Sequence, residues 1–475
     1  MIERQRLPSC TYHSLHEEDE QLRRDSFAEQ PIAILSAHKD IQQVARHVAQ
    51  GQKSDSPFFV MDVAAVHSQV DLWHDCLPSV KLCYALRCNA DPVLAKLLAD
   101  QNIAFEVANS AELELAKSLI HPQQIIFNCQ LLTRKSMKMA GEANVGTIVI
   151  ESAKQLEDAV QYAPYARIII ALCLGPRSTM GCDMATAEEI LERASDLRAN
   201  VTGVCFHLGA GQDASAYYKA LREVRLLFDT ALSRYRINLR SIGLGGGFQA
   251  AAAADIEYAN EDSQFHKLCY VINESLSELF PISQFPQLNA FATPGRFLAA
   301  PAFSLCTAVT GKRALDAKLI SNDDFDEGIG YVYSTNDGLY GSFGCRLLDC
   351  QPQCKPLFEG SGQEHISTVL GPSLEAVDVA QSLVRVRQLR VGEWLLWPNM
   401  GAYSIPLDSD RPAPPVFYYA GQDKWSQMTR KCSLYDLDSR SDGASDVESL
   451  SDECELALFE DVIVDSPFEL QAQQQ

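Results

Sequence analysis

Four short segments carry residue types suited to gripping a phosphorylated small molecule. In GLGGGF, Gly243–Phe248, three consecutive glycines leave backbone N–H groups open toward an anion. TPGRF, Thr293–Phe297, supplies Arg296, whose planar guanidinium can hold a phosphate through two parallel hydrogen bonds. FHLGAG, Phe206–Gly211, contributes His207, and YALRCNAD, Tyr84–Asp91, contributes Arg87. Taken singly, each has a plainer alternative: the glycines make a tight turn, and a lone histidine is more often a structural hydrogen-bonder. The case for a site rests on where the four segments fall in the fold.

Apolar, often β-branched runs recur at Lys81–Leu86, Ala104–Val107, Gln124–Phe127, Thr147–Ile150, Ala166–Leu172, Val201–Phe206, Arg240–Leu244 and Leu288–Ala292. Between them lie stretches with helical spacing, such as Asp91–Asp100, Ser110–Leu119, Ser152–Gln161, Ala185–Leu197 and Ala214–Tyr235. Eight strands alternating with helices predict an α/β fold, a (β/α)8 TIM-like barrel over residues 57–298. A doubly wound open sheet shares the local pattern, and the count of eight favours the barrel. In a barrel the C-terminal strand ends converge on one mouth, and the ends of strands seven and eight commonly bind phosphate. The four segments end strands one, six, seven and eight, so they share that mouth. After Arg296 the texture changes to Ser304–Val309, Gly330–Tyr333, Ile366–Leu370, Leu383–Val386 and Trp394–Trp397, separated by Gly, Pro and Asp turns. This predicts a C-terminal antiparallel β-domain over residues 299–430. Residues 31–56, with the run Ala33–Ser36, are expected to add a strand to it, and residues 1–30 read as a loose N-terminal arm.

Composition bounds the function class. A hydrophobic fraction of 47% and a charged fraction of 21% are those of a globular protein. The first twenty residues lack the apolar core of a secretory signal, and no apolar run reaches the length of a membrane span, which predicts a cytoplasmic protein. The 15 cysteines lack paired CxxC spacing, so neither a metal site nor a disulfide framework is indicated. The net charge of −22 argues against nucleic acid as a partner. Half of that charge sits in residues 432–475, where 12 acidic residues face only Arg440; residues 431–475 read as an acidic tail expected to be disordered. Ser445 and Ser449 each have an acidic residue three places on, a kinase-site pattern that arises easily by chance in such a tail.

The order YALRCN, FHLGAG, LGGGF, PGRF, NDGLYGSF (Asn336–Phe343), GPS (Gly371–Ser373) and NMGAY (Asn399–Tyr403), spread between Phe58 and Thr429, resembles the eukaryotic ornithine decarboxylase and antizyme inhibitor family. The resemblance implies an alanine racemase-like pairing of barrel and β-domain, and pyridoxal phosphate (PLP) as the ancestral cofactor. It also shows what is missing. Arg87 stands where the family's lysine forms the imine, and a guanidinium that stays protonated has no amine lone pair to offer. Thr293 replaces the glutamate that holds the ring nitrogen, and Leu374, followed by Glu375, replaces the cysteine that protonates the product. Ala210 and Leu348 replace a phosphate-contacting serine and a tyrosine, whereas Asp349 matches the carboxylate for the substrate amine. Gly245, Gly246, Gly247, Arg296 and Tyr403 remain as a vestigial phosphate site, with His207 placed to stack on the ring.

Loss of imine, electron sink and proton donor predicts a member without the ancestral activity, holding no cofactor or only non-covalent PLP. The family's non-catalytic branch, the antizyme inhibitors, occupies antizyme in place of decarboxylase monomers. The leading expectation is therefore a regulator of polyamine metabolism that binds antizyme. The alternatives are an active decarboxylase producing putrescine, and a polyamine or amino-acid sensor using Asp349 and Asp337. The family's antizyme-binding segment falls near Leu132–Leu156, where Arg134, Lys135 and Lys138 can share a helical face. The plainer alternative there is a solvated helix surface. Catalytic members dimerise because their sites use both subunits. With catalysis gone, with Leu172–Gly181 shortened and with Thr179 replacing a pairing lysine, a monomer or weak dimer is expected, ornithine decarboxylase subunits being a further possible partner.

Overall fold

The structure, a computed structural model, describes residues 40–52, 54–129, 131–175, 180–209, 211–249, 263–348, 350–373, 375–404 and 413–421. Of residues 8–9, 28–29 and 32–35 it describes the strand backbone alone. The eight apolar runs form Val80–Ala85, Ala104–Val107, Ile125–Phe127, Thr147–Ile150, Arg167–Leu172, Val201–Phe206, Ser241–Gly243 and Asn289–Ala292, all parallel and closed into one barrel. Their near-continuous burial follows from having helices on one side and the packed barrel interior on the other. Along the first strand Leu82 and Tyr84 pack outward into the helical layer, while Cys83 turns inward to Ile126, Val149, Ile169 and Phe291.

The turns from strand to helix are written in the sequence. Asp91, Asn109, Thr133, Ser152, Asp183, Asp213 and Ser263 each cap the helix that follows, their side chains accepting a backbone N–H of the first turn. The ring of helices is closed by Val63–Cys76, which precedes the first strand and packs against both Pro92–Asp100 and Gln264–Leu279. Its Trp73 donates through the indole N–H to the Val80 carbonyl at 3.0 Å and meets Phe248 and Phe297 with ring centroids 4.9 and 5.4 Å away. Phe248 and Phe297 belong to the GLGGGF and TPGRF segments, so this aromatic cluster anchors both of them.

The second domain is one sheet, in the order Val379–Arg387, Glu364–Leu370, Ile329–Thr335, Phe303–Asp316, Phe58–Asp62, Val416–Gly421 and Ile32–Leu35, with Lys355–Pro356 and Trp394–Trp397 joined to its middle. Two expectations are corrected here. The sheet is mixed, not purely antiparallel: Tyr331–Ser334 pairs in parallel with Ser367–Leu370, and Val416–Tyr419 with Phe59–Asp62. And Phe58–Asp62, inside the span 57–298 expected for the barrel, belongs to this sheet, where it pairs antiparallel with Phe303–Cys306. The run at Ala33–Ser36 does supply a strand, Ile32–Leu35, parallel to Tyr418–Gly421. Within the N-terminal arm Pro8–Ser9 pairs with Ala28–Glu29. The acidic tail with Ser445 and Ser449 lies outside the described residues, as do Thr179, Ala210, Asp349 and Leu374. Among the described residues no helix is long and apolar enough to cross a membrane, and no cluster of side chains is arranged to hold a metal ion.

Candidate ligand site at the barrel mouth

The backbone brings the four segments to one place. Thr293 N–H bonds to the Gly245 carbonyl at 2.8 Å and Leu244 N–H to the Phe291 carbonyl at 2.8 Å, which ties the ends of strands seven and eight together. Gly245 and Gly247 have φ of +66° and +92°, a region that side chains rarely occupy. A Cβ on Gly245 would lie 2.3 Å from the Phe206 carbonyl oxygen, so strand six packs directly on this turn. His207 leans over Gly246, whose Cβ position is 3.3 Å from Nε2, and its Nδ1 accepts from Gly209 N–H at 2.9 Å. Burial, and then the charge of Arg87, hold the His207 pKa below its ordinary value, so the ring is neutral at pH 7.

Arg87 lies on the short turn Leu86–Cys88 that ends strand one, and it is ion-paired with Glu106 on strand two. Glu106 is buried in an otherwise apolar strand, AFEV. Burial works against the Arg87 charge, but the adjoining carboxylate outweighs it and raises the guanidinium pKa. Glu112 lies behind this pair, accepting from Ala108 N–H at 2.7 Å. Arg87, Glu106, His207, Gly245 and Thr293 all line one cavity, whose volume is about 30 Å3.

Arg296 and Tyr403 stand at the rim. Arg296 donates to the Leu348 carbonyl at 2.8 Å and its guanidinium lies 5.5 Å from the Tyr403 ring centroid. Tyr403 itself has φ +57°, unusual for an aromatic residue, and is held there by its N–H on the Cys88 carbonyl at 2.9 Å. Burial pushes the Tyr403 hydroxyl and the Cys88 thiol each up to about 12, so both are protonated at neutral pH. The β-domain loop is bound to the barrel by Asn89, whose amide donates to the Gly401 carbonyl at 2.9 Å, and by Tyr418, whose hydroxyl donates to Asp91 at 2.9 Å.

Sequence reasoning missed Glu106. A lone carboxylate inside a buried parallel strand was the signal, because such a group needs a cation or several donors. Asp337, offered as an amine-binding carboxylate, is instead buried and organises its own loop, accepting from Gly338 N–H at 2.8 Å and Ser342 N–H at 3.1 Å. Away from the mouth, Arg134, Lys135 and Lys138 do lie on the exposed side of the helix Arg134–Glu142, opposite buried Met137 and Ala140. Arg134 is 3.8 Å from Asp158 and Lys138 is 3.7 Å from Glu142, and Leu131, just ahead of the helix, is 81% exposed.

A parallel barrel whose first strand abuts a mixed sheet, with a glycine cradle and an arginine at the ends of strands seven and eight, defines the fold of the PLP-dependent basic amino-acid decarboxylases. The model of the "Pyridoxal-dependent decarboxylase, pyridoxal binding domain" family matches residues 63–300, and the chain belongs to that family. The chain is 32% identical to the ornithine decarboxylase of Panagrellus redivivus over 420 residues, covering 84% of this chain and 94% of that one. It is 28% identical to antizyme inhibitor 2 of Xenopus laevis over 404 residues, 82% of this chain and 86% of that one. Among solved structures, the arginine decarboxylase of Paramecium bursaria Chlorella virus superimposes with a TM-score of 0.71 at 25% identity, over 80% of this chain and all of that one. The lysine/ornithine decarboxylase of Vibrio vulnificus, at 22% identity and TM-score 0.69, shares the fold over 80% of this chain and 99% of that one.

The phosphate side of this site fits the family's cofactor: the positive-φ glycine turn, Arg296 and Tyr403 are in place. The ring side does not fit. Arg87 is engaged with Glu106 and offers no amine, and Thr293 is buried and neutral. Among the described residues lining the cavity there is no lysine to form an imine, and the carboxylate of Glu106 is engaged with Arg87.

Proposed function

We propose that this chain is a non-catalytic member of its family that regulates polyamine metabolism in the cytoplasm by binding antizyme. The observation that supports the loss of catalysis is the Arg87–Glu106 ion pair, in which a guanidinium without a free amine stands where the family has its imine lysine. The same pair supports the reading that no cofactor is held covalently at this position. Antizyme as partner is supported by the likeness to antizyme inhibitor 2 and by the exposed basic face Arg134, Lys135 and Lys138, beside the exposed Leu131. Such a face suits an acidic partner through steering more than through tight charge pairing, since two of its cations already have carboxylates within 4 Å.

A second reading, an active ornithine decarboxylase, is favoured by the likeness to the Panagrellus redivivus protein and by the retained glycine turn, Arg296 and Tyr403. One experiment separates them. The purified chain is added to ornithine decarboxylase inhibited by antizyme, with controls holding this chain, PLP and ornithine alone. Recovery of CO2 release with silent controls is the expected result, and reversal of Arg134, Lys135 and Lys138 to Glu should abolish it. CO2 release in the controls would establish the second reading, and no recovery would remove antizyme as the partner.

A further inference from the structure

The sheet domain carries a second candidate surface, far from the barrel mouth in sequence and in chemistry. Between the strands Phe303–Asp316 and Ile329–Thr335 the chain makes an excursion through the short helix Ala317–Ser321. Within it Phe325 is 93% exposed, Leu319 71% and Ile329 59%. Single exposed apolar side chains are ordinary on a protein surface, whereas a local group of them marks a contact region.

The excursion is internally fastened. Ala317 N–H bonds to the Gly328 carbonyl at 2.9 Å, Asn322 N–H to the Lys318 carbonyl at 3.0 Å, and Phe325 N–H to the Asp323 carboxylate at 2.9 Å. Asp326 accepts from Arg385 at 2.9 Å, which fixes the loop to Val379–Arg387, the edge strand of the sheet. Phe325 is thus presented by an ordered loop, so a partner that contacts it loses little entropy in ordering the contact. Beside it lies an open cleft of about 340 Å3 lined by Ser321, Asp323, Asp326, Ile366, Leu383 and Arg385.

The charge of the rim selects the occupant. Residues 316–327 hold five carboxylates, Asp316, Asp323, Asp324, Asp326 and Glu327, against the single cation Lys318; Arg385 engages Asp326, while Asp324 and Glu327 are exposed. An acidic or neutral partner would bury these carboxylates without compensation. We propose that this cleft is a docking surface for a cationic amphipathic segment of a partner protein. Its apolar side chain would sit between Phe325 and Leu383, and its Lys or Arg groups would lie against Asp324, Glu327 and the Phe325 ring face.

The test uses the full chain and a fluorescent synthetic peptide that interleaves Lys with Leu at helical spacing, with a Lys-only peptide and spermine as controls. Two variants are compared, Phe325→Ser and the pair Asp324→Lys with Glu327→Lys, each checked for unchanged melting. The peptide is expected to protect residues 316–329 and 379–387 from hydrogen exchange, to weaken with added salt, and to lose about tenfold in affinity in each variant. Affinity unchanged from the parent chain in either variant, protection elsewhere, or equal binding of the Lys-only peptide or spermine would overturn the proposal. So would a concentration-dependent dimer that Phe325→Ser abolishes, since the occupant would then be a second copy of the chain.

Discussion

At the scale of single residues, the loss of an amine at position 87 is accompanied by a new bond. Glu106 is only 5% exposed and Arg87 26%, so the pair is held largely away from water. Removing one member leaves the other charge buried. Arg87→Ala should therefore cost about 3–5 kcal/mol in urea unfolding, while Arg87→Met combined with Glu106→Leu should cost much less. A similar loss in the single and double variants would mean that the carboxylate has other compensation. His207 gives a pH dependence. Its folded pKa lies below the unfolded value of about 6.5, so the unfolded chain takes up the proton first and stability falls as pH drops through that value. Melting temperature measured between pH 7.5 and about 5 should fall less steeply in His207→Gln than in the parent. The convergence of Arg87, His207 and Thr293 was legible in the sequence because barrel strand ends meet by construction. The pairing of Arg87 with a residue nineteen positions on was not, because a long side chain at a strand end can turn toward several neighbours.

At the scale of elements, the βα units announce themselves. Each strand is a short apolar run, each helix opens on a capping side chain, and both signals are local, so the barrel strands matched their expected positions closely. The sheet domain was less legible. Its outer strands alternate in the expected way, but nothing local tells Phe58–Asp62 that its partners lie at Phe303–Cys306 and Val416–Tyr419. The two layers meet at the end of strand one. Tyr418→Phe would leave the buried Asp91 oxygen without its hydroxyl, and a loss of about 1–3 kcal/mol in global unfolding is expected. The turn after strand seven is equally constrained. Gly245→Ala places a methyl against the Phe206 carbonyl in a positive-φ position, and should lower the melting temperature at a cost of about 1–3 kcal/mol or more.

At the scale of the whole molecule, the loops around Asp337 and Asp378 matter most. Asp378 is buried and accepts from Leu339 N–H at 2.7 Å and Ser373 N–H at 2.9 Å, fastening the two loops into one surface. Tyr340, Leu347 and Val377 stand exposed on these loops, at 58%, 76% and 58%. This apolar surface favours weak self-association over a strict monomer. Sedimentation velocity should show a monomer–dimer equilibrium that shifts with protein concentration in the micromolar range, and Leu347→Asp with Val377→Asp should leave monomer alone. A tight dimer at sub-micromolar concentration would contradict both the weak interface and the idea that selection on it has lapsed.

The parallel pairing of Phe59–Asp62 with Val416–Tyr419 has a kinetic consequence during synthesis. The barrel, spanning residues 63–300, can complete as soon as its own last strand leaves the ribosome. The strand that comes just before it must wait for a neighbour more than three hundred and fifty residues later. Until then Phe58, Phe59, Val60 and Met61, all fully buried in the finished protein, have an open edge and no cover on one side. A nascent chain halted short of Val416 should therefore carry a folded barrel with a sticky leader, and should be held by chaperones until the last strand arrives.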